Sequence, residues 1–289
     1  MKISIVSDEI SSDFATAVEL GTGWGVRDFE LRGVGENRVP HLSAHQKDQV
    51  RIILERCDAR IVALSPGLFK FPFMPAQRKR FPVNVIDKGM FERWQQARVQ
   101  MDYHLHELLP ATIDYARELG VSLILAFGFG RGGLPPGPAP EELLVYLHRA
   151  AEMAGKAGMT LALEVEAGFW ADAGLRTANL VRAVEHPALG VTWDPGNAIE
   201  AGDIPYPNGY EAVRGLVRHV HFKDAVRLPD GSHRYAVTGD IDWTGQIAAL
   251  RADGYDGFIS VETHMAPKVQ SAKSVLRRLQ RLIEKENTM

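Results

Sequence analysis

Residues 151–166 read AEMAGKAGMTLALEVE: the end of an amphipathic stretch, a glycine at Gly158, then a short aliphatic run that closes on two glutamates. A helix that stops on glycine has a residue free to take positive φ at its C-terminus. The run that follows lacks polar alternation, which is how a strand buried on both faces of a parallel sheet reads. The same unit recurs as ILERCDARIVAL at 53–64, ARELGVSLILAF at 116–127 and LRADGYDGFISVE at 250–262, with Gly120 and Gly254 in the place of Gly158. Counted along the chain, strands are predicted at about 3–7, 27–31, 60–65, 121–127, 159–165, 189–193, 217–222 and 257–261. Helical patterns lie between them, near 12–21, 43–58, 99–119, 140–157, 174–185, 208–215, 243–252 and 268–286. Ser43 with Gln46 makes a capping box, and Pro140 followed by Glu141 and Glu142 suits a first helical turn. Eight strand–helix units in 289 residues is the count of a parallel (β/α)8 TIM barrel, one domain over 1–289. A doubly wound sheet is the runner-up, because closure leaves no mark in a sequence.

Composition narrows the function classes. Hydrophobic residues make up 45% of the chain and charged residues 24%, ample for a large globular core. A net charge of −3 counts against a nucleic-acid partner, which usually requires a basic stripe. Cys57 is the single cysteine, so neither an intrachain disulfide nor a Cys-clustered metal site is expected. The opening MKISIVSDEI has no apolar h-region and no apolar run reaches a membrane-spanning length. The expectation is a cytoplasmic enzyme with no membrane partner.

Two segments exceed the minimal unit. Residues 66–98 are basic and aromatic, and residues 225–241 carry the turn-rich LPDGSHRY. Both follow strand C-termini, so both are expected over the active-site face of a barrel, as lids or, for 66–98, equally as an oligomer contact.

The chemical signal is positional. The fifth strand ends LALEVE with Glu164 and Glu166, the sixth VTWDPGN with Asp194 and Asn197, the seventh carries HVHFKD, and the eighth ends ISVETH with Glu262 and His264. A carboxylate at the end of a buried strand is costly unless paired or metal-bound, and the pattern holds on four adjacent strands. Three carboxylates and an imidazole form an oxygen-rich ligand set, suited to one divalent ion: Mn2+ is favoured, with Mg2+, Co2+ or Zn2+ as alternatives. Within each strand, residues two apart point the same way, so of Glu164/Glu166 and His219/His221 only one member need bind the metal.

These strand ends, with Ser7-Asp8-Glu9-Ile10 near the N-terminus and Glu30-Leu31-Arg32 on the second strand, resemble the xylose-isomerase-like TIM-barrel superfamily, more closely its sugar-phosphate isomerase/epimerase branch. The resemblance implies Glu164, Asp194, His221 and Glu262 as metal ligands, and Glu164 and Glu262 as the two acid–base groups. It also implies a substrate-binding arginine six residues past the ligand histidine, which is Arg227 here. Asn197 and Glu166 stand where many relatives carry histidines, and VTGDIDW keeps only Gly239 of a G-x-G. The implied activity is a metal-dependent isomerase or epimerase of a small sugar, sugar acid or sugar phosphate. One glutamate removes the proton beside the carbonyl, the substrate passes through an enediolate, and the other glutamate returns a proton. A dehydratase shares that first step. An endonuclease IV-like phosphodiesterase needs more histidines than the first half supplies. Homodimers or homotetramers are common among such relatives.

Lesser signals remain. Lys70, Arg32, Asn197, Glu166 and His264 are candidate substrate contacts, and Glu30 is expected to pair with Arg32 or line the pocket. GFGRGG at 128–133 is followed by LPPGPAP and not by a helix, so it is no dinucleotide fingerprint, although Arg131 there is a candidate anion ligand. His104 and His106 sit two apart on a predicted helix and are expected at the surface. Arg78, Lys79 and Arg80 read as a solvated basic run, and Phe127, Trp170 and Trp193 as pocket wall or core.

Overall fold

The computed structural model describes residues 1–73 and 88–287. Its centre is a closed barrel of eight parallel strands: β1 (Lys2–Val6), β2 (Asp28–Leu31), β3 (Arg60–Leu68), β4 (Leu123–Phe127), β5 (Thr160–Glu164), β6 (Leu189–Trp193), β7 (Val217–Phe222) and β8 (Phe258–Val261). Each strand pairs with its sequence neighbours, and β1 closes on β8 with Lys2 opposite Phe258 and Ile5 opposite Val261. That pairing excludes the doubly wound alternative. The aliphatic runs are buried, as a sheet sandwiched between an inner core and an outer ring of helices requires: Ile5, Phe29, Ile124, Val191, Val220 and Ile259 are fully covered.

The local signals act as read. Gly120, Gly158 and Gly254 carry φ of 67°, 74° and 70°, each at the turn between a helix and the next strand. The Ser43 side chain accepts from Gln46 N at 3.2 Å while Gln46 Oε1 accepts from Ser43 N at 3.0 Å, starting the helix Ala44–Cys57. Asp13 caps Phe14–Gly23 in the same manner, through Thr16 N at 2.8 Å.

Several elements differ from expectation, most of them near the C-terminal mouth. β3 runs on to Leu68, which carries Ser65 and Gly67 along the rim. After β2 a small hairpin pairs Gly33–Val34 with Asn37–Arg38. A six-residue helix, Pro195–Glu200, follows β6 at once. The helix near 208–215 shrinks to Tyr210–Val213. Residues 225–241 form an antiparallel hairpin, Asp224–Arg227 against His233–Ala236. The basic run Arg78–Arg80 and the middle of the 66–98 segment lie outside the described residues. Among the described residues no helix is long and apolar enough to cross a membrane.

The predicted helix 99–119 is instead Lys88–Tyr103 and Leu109–Leu119, joined by a π-helical turn over His104–Leu108. The wider turn rotates His104 inward, against the expectation of a surface residue; His106 stays exposed. His104 Nδ1 accepts the Phe69 N–H at 2.8 Å, and its ring stacks on Phe69 at 5.9 Å. This contact holds Phe69 at a φ of 62°, just before Lys70 turns to the mouth of the barrel.

Burial holds His104 neutral and pushes its pKa down to about 4. Between about pH 6.5 and pH 4 the unfolded chain therefore binds the extra proton and the native protein loses stability as pH falls. His104→Gln keeps an acceptor for Phe69 without a titrating group. Urea midpoints measured at about pH 7 and about pH 4.5 should fall less in His104→Gln than in the wild type. Equal losses would show that His104 is not protonated on unfolding.

Candidate metal centre and substrate cleft

Four side chains from consecutive strand ends meet at the mouth of the barrel. Glu164 is the last residue of β5, Asp194 the first beyond β6, His221 lies in β7 opposite Ser260, and Glu262 is the first beyond β8. One ligand atom from each lies within 4.8 Å of all the others, and all four side chains are buried. His221 Nδ1 sits 3.3 Å from Glu164 Oε1, 3.5 Å from Asp194 Oδ2 and 3.3 Å from Glu262 Oε2, yet makes no hydrogen bond. Ligand atoms about 2.1 Å from one ion at tetrahedral angles stand about 3.4 Å apart. A buried, unpartnered imidazole nitrogen facing three carboxylate oxygens at that spacing fits a divalent cation. Electrostatics agrees. Burial opposes charge on His221, but Glu30, Glu262 and Glu164 hold its pKa well above the ordinary value, so this point favours positive charge.

Surrounding contacts fix the four. His221 Nε2 hydrogen-bonds Glu30 Oε2 at 3.1 Å, which leaves the Nδ1 lone pair of the neutral ring to face the cluster; His219 Nε2 binds the same oxygen at 2.9 Å. Glu30 therefore pairs with the two histidines and not with Arg32. The Arg32 guanidinium bonds Asp8 at 2.9 Å, Glu9 Oε1 at 2.9 Å and Glu262 Oε1 at 2.9 Å, so the N-terminal Asp-Glu pair and the second-strand arginine form one clamp on a candidate ligand. Glu9 Oε2 also accepts from Thr263 Oγ1 at 2.8 Å and His264 N at 2.8 Å, pinning the chain after β8.

Lys223 received no role from sequence and is central here. Its buried ammonium lies 2.8 Å from both Asp194 Oδ2 and Glu262 Oε2. Burial opposes its charge, but Asp194 and Glu262 hold its pKa well above the usual value. Glu262 is the converse: burial would raise its pKa, while Lys223 and His221 hold it well below the ordinary range. The Trp193–Asn197 stretch makes this arrangement possible. Asp194 Oδ1 caps the helix Pro195–Glu200 through Asn197 N at 2.9 Å, leaving Oδ2 for the cluster. Pro195 occupies the first turn, where its missing N–H is harmless. A Cβ on Gly196 would lie 2.4 Å from Lys223 Cγ, so only glycine lets the lysine stem pass. Asn197 Nδ2 donates to Val165 O at 2.8 Å and Glu166 Oε2 at 3.2 Å.

Above the cluster opens a cleft of about 360 Å3 whose lining includes Glu164, Glu166, Asn197, Glu262 and His264. Arg32, Lys70, Phe127, Arg38, Ser65, Glu200 and Tyr235 complete its wall. Lys70 bridges to Glu166 Oε1 at 3.1 Å and lies 4.4 Å from the Phe127 ring centre. Burial and the Glu164 charge raise the Glu166 pKa. His264 Nε2 approaches Glu262 Oε1 at 3.2 Å. The hairpin after β7 delivers Tyr235, whose hydroxyl donates to Glu200 at 3.1 Å. Arg38, Ser65 and Tyr235 carried no distinguishing signal in sequence; for Lys223 the one available clue was its place at the end of a buried strand.

The remaining candidates lie elsewhere. Arg227 is exposed where its hairpin turns, opposite His233, and does not line the cleft. Its backbone N–H donates to Asp240 at 2.8 Å. Arg131 is not an anion ligand in this fold: it pairs with Asp172 and donates to the Phe169 and Leu134 carbonyls. Trp193 is core, with Nε1 donating to Gln246 at 2.6 Å, and Trp170 is buried away from the cleft. Asp224 pairs with Arg278 at 2.6 Å and is not among the four.

Residues 18–282 match the model of the xylose isomerase-like TIM barrel family. A 3-dehydroshikimate dehydratase of Pseudomonas putida is 30% identical over 223 residues, covering 68% of this chain; the chain spans about a third (33%) of that relative's length. A solved structure of an L-ribulose 3-epimerase superposes with a TM-score of 0.67 at 18% identity, covering 100% of this chain and 96% of the other. Another, described as the IOLI protein with a bound zinc atom, gives a TM-score of 0.69 at 16% identity and covers 99% of both chains.

Mn2+ binding measured by calorimetry should separate the two jobs of Asp194. Asp194→Asn retains the helix cap but loses the charge, and should weaken Mn2+ by about 10-fold or more with little change in the melting temperature of chelated protein. Asp194→Ala should weaken Mn2+ as much and also lose about 1 kcal/mol of stability with the cap. Glu30→Gln, which touches only histidines, should weaken Mn2+ by about 10–100-fold. Unchanged Mn2+ affinity in Asp194→Asn would remove Asp194 from the ligand set.

Proposed function

The chain belongs to the xylose isomerase-like TIM barrel family, and from that premise we propose that it is a divalent-metal-dependent isomerase or epimerase acting on a small sugar, sugar acid or sugar phosphate through an enediolate. The observation that carries the reading is the convergence of Glu164, Asp194, His221 and Glu262 beneath a polar cleft, around an imidazole nitrogen left without a partner. These four residues would hold the ion, Mn2+ by preference for an oxygen-rich set, with Mg2+, Co2+ or Zn2+ as alternatives. A bound ion supplies the Lewis acidity that polarises a carbonyl and acidifies the neighbouring C–H.

The chain supplies the rest. Glu164 and Glu262 enter the cleft from β5 and β8, strands separated in the barrel by β6 and β7. Two carboxylates on different sides of a flat enediolate can take a proton from one face and return it to the other, which is epimerisation. A proton returned to the adjacent carbon gives isomerisation. Arg32, Lys223 and His264 hold Glu262 ionised and fixed in place. Asn197, Glu166 and Lys70 form a hydrogen-bonded row along one wall, where substrate hydroxyls would find both donors and acceptors. Tyr235 and Phe127 add aromatic surface to the cleft wall.

A second reading is favoured by the identity to the Pseudomonas putida dehydratase. After the same proton abstraction, the electron pair expels the hydroxyl on the next carbon, a C=C bond forms, and water leaves.

The test is turnover in D2O of Mn2+-loaded protein with a panel of ketoses, sugar acids and 3-dehydroshikimate. Isomerase or epimerase action should place one deuterium on the carbon next to the carbonyl. The label should vanish on chelation, and Glu164→Gln and Glu262→Gln should each lower its rate by about 10²–10⁴-fold. Growth of ultraviolet absorbance with release of water would select the dehydratase. Turnover without deuterium uptake and without water loss would discard the enediolate, and cleavage of abasic DNA would favour a phosphodiesterase.

A further inference from the structure

Among the described residues, three of the four lysine and arginine side chains that reach the cleft or its floor are neutralised by carboxylates. Arg32 has Asp8, Glu9 and Glu262; Lys70 has Glu166; Lys223 has Asp194 and Glu262. Arg38 differs. Its half-buried guanidinium lines the cleft, and its hydrogen bonds run only to Ser65, from Nε to the carbonyl at 3.0 Å and from Nη2 to Oγ at 3.2 Å. Among the described residues no carboxylate forms an ion pair with it.

The surroundings seat the group for that purpose. Arg38 ends the small hairpin after β2, and Ser65 on β3 fixes its head through two of its five donors. Gly67 has a φ of 78°, and a Cβ there would stand 3.1 Å from Nε and 3.2 Å from Cζ; the bare backbone lets the guanidinium lie flat against the strand end. Burial and the neighbouring Arg32 charge lower the Arg38 pKa, while Glu164, Asp8 and Glu30 oppose this, so the guanidinium lies within electrostatic reach of both the clamp and the candidate ligands. A part-buried guanidinium without a carboxylate partner of its own is stabilised by an anion that reaches its remaining donors. The free edge of its fork suits two parallel hydrogen bonds to one oxyanion.

We infer that Arg38 anchors an anionic group of the substrate, so that the site takes a polyhydroxy compound bearing a carboxylate or phosphate and discriminates against the neutral sugar. This rests on the reading of the cleft as the substrate site. It assigns the anion to the rim after β2, and not to Arg227 on the hairpin after β7.

Calorimetry on Mn2+-loaded protein with matched probes tests it: D-gluconate against D-glucitol, and D-xylulose 5-phosphate against D-xylulose. The charged member of at least one pair should bind about 10-fold or more tighter. The pair with the larger ratio identifies carboxylate or phosphate as the natural group. The ratio should fall to about one in Arg38→Gln and recover in part in Arg38→Lys, which restores charge without the fork. Arg227→Gln should leave it unchanged. A wild-type protein that binds both members of each pair equally, or binds neither, overturns the inference with no variant needed, as does a preference that survives Arg38→Gln. Failure of the metal reading is separately visible: Mn2+ would not bind, while an Arg38-dependent preference for the anion would remain.

Discussion

Crowding of buried negative charge at one end of the barrel is the constraint on which the rest of this structure depends. Glu30, Glu164, Asp194 and Glu262 are all buried at the mouth, with Glu9 beside them. Carboxylates so placed repel one another and have lost their water, so each must find a cation or a donor. Arg32 and Lys223 answer part of the demand, and His221 Nδ1 faces the remaining carboxylate oxygens without a hydrogen bond. A divalent cation at the convergence point would meet it. The same charge balance explains residues remote from the point itself: Asp8 and Glu9 exist for Arg32, Gly196 exists for Lys223, and Glu30 sets which nitrogen His221 presents.

The barrel achieves this by dividing labour between strands and the turns that leave them. Strand pairing fixes Glu164 and His221, since each lies within a hydrogen-bonded ladder. Asp194 and Glu262 lie one residue beyond their ladders and need local devices. Asp194 is steadied by capping the helix it starts, and Glu262 by Arg32, Lys223 and the Glu9 tether on Thr263 and His264. The upper wall is looser in construction. Tyr235 rides on a two-stranded hairpin and Arg38 on another, so residues that would select a substrate sit on elements that can vary without disturbing the ligand cluster.

The cleft therefore combines two electrostatic zones. Its floor is acidic and calls for a cation; its rim carries Arg38, which has no carboxylate ion pair among the described residues, and Lys70 shared with Glu166. A substrate with hydroxyl and carbonyl oxygens at one end and an anionic group at the other would complement both. Asn197 and Glu166 join in one hydrogen-bonded row with Lys70. An amide and a carboxylate would therefore face a substrate on that wall.

The sequence by itself determined the barrel and the identity of the residues at the strand ends. Helix termini at Gly120, Gly158 and Gly254 are local events, and a fully apolar strand has nowhere to go but a covered parallel sheet. Because every strand of such a barrel points the same way, a polar residue closing each aliphatic run must gather at one mouth, which is why the polar ends of β5 to β8 were legible as a group, while the choice of Glu164 over Glu166 and of His221 over His219 came from the family resemblance. What only tertiary structure decided was pairing between side chains far apart in the chain. Glu30 chose His219 and His221 over the nearby Arg32, Lys223 turned inward because Gly196 makes room, and His104 was drawn into the core by a π-helical turn that has no sequence period. Arg227 followed a spacing, but the hairpin that bears it carries Tyr235 to the cleft and leaves Arg227 in solvent. Spacing along a chain fixes direction only within a regular element; beyond the last ladder hydrogen bond, direction belongs to whichever long-range partner satisfies the buried charge.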